Sequence, residues 1–213
     1  MRWEDLKFFN PRGAIAFSQN RLPHWQQPNG IYFVTFRLGD AVPKQLLERW
    51  MTDRAMWMRL HPLPWTDEEE NEYHTRFSSA MERWLDAGHG SCVLRRPACA
   101  EIVAEALGHF EGARYEQLSW VIMPNHVHAL FALRSDSSLE TVLHSWKRFT
   151  ARRINAQLSQ TGNLWQRDYF DRLVRDGTHF ARCVSYIRRN PAKAKLRMGE
   201  YLVWESDLAQ QVG

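Results

Sequence analysis

The 213-residue chain has only three cysteines, Cys92, Cys99 and Cys183, an odd number with no CxxC spacing. That excludes a disulfide framework and a cysteine-built zinc site, and it leads us to expect a reducing, cytoplasmic location. No stretch approaches the roughly 18 consecutive apolar residues that a membrane helix needs. The opening MRWEDLKFFNPRG has no apolar run followed by a small-residue cleavage site, so neither export nor membrane anchoring is expected. A GxxxxGK[ST] phosphate loop and a helical HExxH zinc motif are both missing from the sequence. With 11 glycines, 9 prolines and no internal repeat, the chain is neither collagen-like nor of low complexity.

What is present is a composition that folds: 44% hydrophobic, 24% charged and 13% aromatic. The length suits one globular domain over residues 1–213 with embellishments. The net charge of +4 hides an asymmetry. Residues 1–140 carry 15 Lys+Arg against 18 Asp+Glu, whereas residues 141–200 carry 13 against 4. A basic block of that density is the electrostatic footprint of a polyanion partner, although charge alone does not choose among DNA, RNA and anionic lipid. Its aromatics, Trp146, Phe149, Trp165, Tyr169 and Phe170, suit either stacking on unpaired bases or packing in the core.

Patterning predicts a strand over 31–38, after the turn signal at 27–30, and a helix over 43–60 behind a proline. Thr66 with Glu69 forms a capping box for a second helix to about residue 85, so 43–85 reads as a helical insertion between strands. A short strand over 91–94 and a helix over 97–110 follow. Apolar strands over 118–123 and 127–133 flank the turn pair Pro124-Asn125 and predict an antiparallel hairpin. Then come a basic helix over 138–158, a short strand over 171–175, and a helix over 178–190 stopped by Pro191. Mixed helices and hairpins, without regular βαβ alternation, imply an α+β fold with a mainly antiparallel central sheet flanked by helices.

Two segments carry chemistry. In Met123-Pro124-Asn125-His126-Val127-His128, strand alternation places His126 and His128 on one face, about 7 Å apart, close enough to share a metal ion. A third alternating histidine, as some nucleotide hydrolases require, would fall at position 130, which is Leu130. In Tyr186-Ile187-Arg188-Arg189-Asn190-Pro191, Tyr186 and Asn190 share a helix face. A phenol with a pKa of about 10 is a poor nucleophile unless a cation or base assists it. Tyr169, between Asp168 and Asp171, is the competing tyrosine, but its acidic neighbours would repel a phosphate.

Taken in order, these segments resemble the single-tyrosine HUH transposases, and within them the REP-associated tyrosine transposases. The likeness rests on MPNHVH and on YIRRNP with the following Lys193-Ala194-Lys195-Leu196. It extends to RLPHW at 21–25, YFVTFRL at 32–38, HSWKRFTARRIN at 144–155 and LWQRDYFDRLVRD at 164–176. The resemblance implies a ferredoxin-like HUH endonuclease core. It also implies that His126, His128 and Asn190 hold a divalent cation and that Tyr186 is the nucleophile. Some relatives carry glutamine at the third position, so the shorter asparagine implies looser coordination. Imidazoles suit zinc, but a phosphate-rich site with a carboxamide oxygen suits Mg2+ or Mn2+, and we expect the latter pair.

The implied activity is metal-dependent cleavage and strand transfer on single-stranded or hairpin DNA with palindromic repeats, through a 5′-phosphotyrosine intermediate. We place DNA contacts on Lys147, Arg148, Arg152 and Arg153, and on Arg188, Arg189, Lys193 and Lys195 beside the tyrosine. The alternative is a repeat-hairpin binding protein without catalysis. A replication or conjugation initiator is a third reading, disfavoured by the missing phosphate loop. Monomer and homodimer both stay open, since some relatives exchange the tyrosine helix between subunits. No reading is attached to the 43–85 segment.

Overall fold

The structure is a computed structural model that describes residues 2–13, 16–19, 23–62 and 65–212. Arg21 and Leu22 of the RLPHW stretch, and Leu63 and Pro64 at the expected helix break, lie outside the described residues. In chain order the elements are β1 (Ala16–Gln19), β2 (Pro23–Gln26), β3 (Ile31–Arg37), α1 (Lys44–Leu60), α2 (Asp67–Tyr73), α3 (Ser79–Asp86) and α4 (Pro97–Gly108). They continue with β4 (Tyr115–Ile122), β5 (His126–Leu133), α5 (Leu139–Gln157), β6 (Phe170–Leu173), α6 (Gly177–Lys193), β7 (Leu202–Glu205) and α7 (Asp207–Gln210). No helix among the described residues is long and apolar enough to cross a membrane.

Strands β6, β3, β5, β4 and β7 form one sheet in that order, and all four neighbouring pairs are antiparallel. The succession β3-α4-β4-β5-α5-β6 with this strand order is the ferredoxin-like arrangement, so the fold is α+β as the sequence implies. Side-chain alternation divides the sheet cleanly. Tyr32, Val34 and Phe36 of β3 and Val127, Ala129 and Phe131 of β5 face α4 and α5, packing on Val103, Leu107, Leu143 and Trp146. Ile31, Leu130 and Ala132 point the other way, onto Phe180, Val184 and Ile187 of α6. The histidines share that second face, so α6 is the helix that reaches them.

Four local expectations are corrected. The helix expected over 66–85 is two helices joined by a π-helical turn, His74–Ser78, although its Thr66–Glu69 capping box forms with bonds of 2.8 and 3.2 Å. Tyr73, Phe77, Met81 and Leu85 recur strictly every fourth residue, a spacing that drifts around an α-helix; the wider π turn resets the phase and keeps this stripe on the core. The strand expected over 91–94 is a 3-10 turn, Val93–Arg95. Both β4 and β5 already have partners on each side, and Leu94 N–H instead donates to the Pro124 carbonyl of the hairpin turn at 3.1 Å. Pro191 does not stop α6, which runs to Lys193, because a proline in the last turn removes one donor and the next bonds still close, Ala194 N–H to Asn190 O at 3.0 Å among them. The strand expected over 171–175 is Phe170–Leu173, since Val174 turns to pair its N–H with Ile31 O at 2.9 Å and starts the connection to α6.

Candidate metal centre and nucleophile

The β3–β5 register sets Arg37 opposite His126 and Thr35 opposite His128, at the end of the sheet where the β4–β5 turn closes. Both imidazoles are buried, and their Nε2 atoms converge to 3.1 Å. Burial, with the nearby cations Arg37 and Lys193 assisting, pushes His126 down to about 3; burial, the neighbouring His126 and Lys193 push His128 well below its ordinary value. Neutral imidazole is the form that binds a metal. His126 Nδ1 lies 2.7 Å from Asn125 Oδ1, and His128 Nδ1 lies 2.7 Å from Thr35 Oγ1. The outward-facing ring nitrogens are thus engaged by protein partners while the inner pair faces one point.

Helix α6 delivers the other residues. The Tyr186 ring stands edge-on to His128 at 5.1 Å between centroids and to Phe33 at 5.7 Å. One turn later, Asn190 is buried and neither its Oδ1 nor its Nδ2 has a hydrogen-bond partner, although the carboxamide is near enough to Tyr186 to favour the phenolate. A buried carboxamide without a partner is costly, about 1–3 kcal/mol, and its oxygen has lone pairs to offer a ligand. Among the described residues no third His, Cys, Asp or Glu joins the two imidazoles to form a metal-binding group. Two imidazole nitrogens and an orphaned amide oxygen nevertheless form a chemically coherent donor set for a divalent cation, so these residues fit one.

Sequence reasoning passed over several neighbours. Asn125 read only as a turn residue, and Thr35 and Arg37 only as parts of a strand. Glu82 and Asp86 of α3 reach across to Lys193, at 3.3 and 3.1 Å, while Lys193 Nζ lies 5.8 Å from the centre of the Tyr186 ring. Burial first, then these two carboxylates, raise the Tyr186 hydroxyl far above its ordinary value, so the phenol is protonated in this state. No sequence signal connects α3 with α6, since the pairing spans more than a hundred positions.

The expected DNA-contact residues fall on both sides of the sheet. On α5, Arg148 and Arg152 are exposed, Arg153 pairs with Glu105 at 3.8 Å, and Lys147 is half-buried, donating to Arg167 O at 2.6 Å. Lys147 and Arg148 line an open cleft of about 490 Å3 with Trp165 and Arg167. On α6 and beyond, Arg189 and Lys195 are exposed, while Arg188 is held by both oxygens of Glu205 at 3.0 Å. Trp146 and Trp165 are buried. Tyr169 is buried on the α5 side of the sheet, beneath Lys147, and away from the histidines.

Residues 95–190, just under half of the chain, match the family described as IS200-like transposases. A solved structure of a REP-associated tyrosine transposase bound to a REP hairpin is similar at 16% identity, over 83% of this chain and 73% of that one, with a TM-score of 0.41. No curated protein matches the chain. The matched segment holds both histidines, Tyr186 and Asn190, so the chain is similar to the IS200-like transposases over the stretch that carries the candidate site.

Proposed function

We propose that this chain is a metal-dependent endonuclease and strand transferase acting on single-stranded or hairpin DNA with palindromic repeats, through a 5′-phosphotyrosine intermediate on Tyr186. The observation that carries the reading is the meeting of Tyr186, the converging imidazole nitrogens and the unpartnered Asn190 amide at one end of the sheet.

His126, His128 and Asn190 would hold the ion, Mg2+ or Mn2+. When bound, it supplies positive charge that polarises the scissile phosphate. Tyr186 Oη gives up its proton to water and attacks phosphorus; the bond to the 3′ oxygen breaks, and that oxygen takes a proton from water and leaves as a 3′-hydroxyl. The reverse attack by a 3′-hydroxyl restores Tyr186 and joins strands with no nucleotide cofactor. Lys193, beside the ring, favours the phenolate once Glu82 and Asp86 no longer neutralise it. A half-buried tyrosine on a helix against a sheet reaches a phosphate only where the DNA backbone is exposed, which favours a single strand or hairpin over duplex. Arg148, Arg152, Arg189 and Lys195 are the exposed cations for phosphate contacts, with Lys147, Arg153, Arg188 and Lys193 as partners already held by protein groups. Their division between α5 and α6 lets a hairpin stem and the cleaved strand be gripped by different elements.

The test is a denaturing gel after mixing the protein with Mg2+ or Mn2+ and labelled single-stranded oligonucleotides carrying palindromic repeats from its own genome. A slow-migrating adduct that needs metal and disappears in Tyr186→Phe is expected. Hairpin binding without any adduct would replace this reading by a binding protein without catalysis.

A further inference from the structure

We infer that Asn125 is a positioning residue that fixes His126 in the tautomer with its proton on Nδ1 and a bare Nε2, and that Thr35 leaves His128 free to exchange tautomers. The inference rests on the proposed reading of this histidine pair as cation ligands.

At the end of α3, Leu85 O accepts from Gly88 N–H at 3.1 Å and keeps a second lone pair for another donor. Asn125, 1% exposed, turns its Nδ2 to Leu85 O at 3.2 Å and His89 O at 3.3 Å. Rotating the amide would place its oxygen against two carbonyl oxygens and lose both bonds, so the backbone itself dictates which end is nitrogen. Oδ1 then faces His126 Nδ1 at 2.7 Å. An amide oxygen only accepts, so Nδ1 carries the proton, and Nε2 of the neutral ring is an unprotonated donor for a metal. Main-chain bonds hold the turn in place, Leu38 N–H to Asn125 O at 2.9 Å and Leu94 N–H to Pro124 O at 3.1 Å.

His128 is in a different position. Its Nδ1 meets a threonine hydroxyl at 2.7 Å, a group that donates or accepts by rotating about one bond. With Nε2 of His126 bare and 3.1 Å away, Nε2 of His128 must carry the proton of the bond between them in the metal-free protein, and the Thr35 hydroxyl donates to Nδ1. Ligating a cation through both Nε2 atoms then requires one proton to move from Nε2 to Nδ1 of His128, with Thr35 turning to accept it. The number of protons on the pair is unchanged. One histidine is locked and the other switches.

Long-range proton–nitrogen NMR of the 15N-histidine-labelled protein tests this without any turnover. The expected metal-free spectrum has His126 protonated on Nδ1 and His128 on Nε2; added Mg2+ moves only His128. Asn125→Asp keeps an acceptor for Nδ1 and should preserve the His126 tautomer. Asn125→Ala removes it and should give a mixed tautomer with Mg2+ affinity lower by about 10- to 100-fold. Both variants lose the amide bonds to Leu85 O and His89 O, and Asn125→Asp sets an oxygen against those carbonyls, so a purely structural role would disturb Asn125→Asp at least as much as Asn125→Ala. Nε2-protonated His126 in the wild-type protein, or an Asn125→Ala spectrum like wild type, would overturn the inference, and the wild-type spectrum decides even if a variant does not fold. The stated tautomers with no Mg2+ response would instead overturn the cation reading and leave the assignment of Asn125 standing.

Discussion

Lys193 Nζ lies 3.1 Å from the Asp86 carboxylate, which ties the helix bearing Tyr186 to the last helix of the segment between β3 and α4. Glu82 adds a second anion at 3.3 Å. Under the proposed mechanism, two carboxylates therefore stand where a phosphate would approach Tyr186. Replacing them together, Glu82→Gln with Asp86→Asn, should raise affinity for single-stranded DNA by about three- to tenfold at low salt, with the gain shrinking as salt rises. Filter binding across a salt series reads this directly, and unchanged affinity would mean that Lys193 does not meet the DNA backbone.

Trp146 donates from Nε1 to the Tyr115 hydroxyl at 2.9 Å and is 2% exposed. It is therefore a core residue and not a base-stacking platform. Trp146→Phe should lower stability by about 1–3 kcal/mol through lost packing and the lost bond to the Tyr115 hydroxyl, which keeps its bond to Leu107 O, seen as an earlier denaturation midpoint. Single-strand affinity of the folded variant should be unchanged, and a matching loss of affinity would restore the stacking role.

Arg188 and Arg189 are adjacent in sequence but differ in employment. Arg188 grips Glu205 through two bonds of 3.0 Å and also donates to Val212 O at 3.1 Å and Ala209 O at 3.3 Å, fastening the C-terminal elements to α6. Arg188→Ala should cost about 1 kcal/mol of stability and leave the salt dependence of DNA binding alone. Arg189→Ala should do the reverse, reducing the slope of log affinity against log salt by roughly one. Equal slopes for both variants would remove Arg189 from the interface.

Burial depresses Lys147 from 10.5 to about 8. Below pH 8 the folded and unfolded chains both carry this proton, and the folded chain bears the cost of burying it. Between about pH 8 and 10.5 the folded chain has released it while the unfolded chain has not, so stability from this position rises with pH across that window. Lys147→Met should therefore be more stable than wild type at pH 7, by about 1 kcal/mol, with the advantage fading by pH 10. Urea denaturation at the two pH values checks the sign; an advantage that grows with pH would refute it.

Periodic, self-contained patterns were legible in the sequence. The strand at 31–37, the 126–133 strand with its two histidines on one face, and the basic helix at 139–157 each follow from apolar spacing within a single element. The pairing of those elements into a ferredoxin-like order came through family resemblance, not periodicity. What stayed hidden depends on contacts between distant segments. Asn125 as a turn former and Asn125 as a bridge between α3 and His126 are the same letter in the sequence, separated only by tertiary position. The edge strand at 202–205 escaped because four half-exposed residues carry no clear alternation, and its place is set by pairing with β4. The capping box announced a helix after Thr66, but the fourfold spacing of Tyr73, Phe77, Met81 and Leu85, which carries the π turn, went unread.

The connection from β6 to α6 is only Val174 to Asp176, and it is pinned by Val174 N–H to Ile31 O and Phe9 N–H to Val174 O, each 2.9 Å. Within the chain this short connection sets Tyr186 beside the chain's own histidines, 5.1 Å from His128 between ring centroids. In genetic terms, under the proposed mechanism a lesion at Tyr186 and a lesion at His126 then belong to one complementation group: Tyr186→Phe and His126→Ala chains mixed together should not rescue each other, and every wild-type chain should saturate at a single adduct.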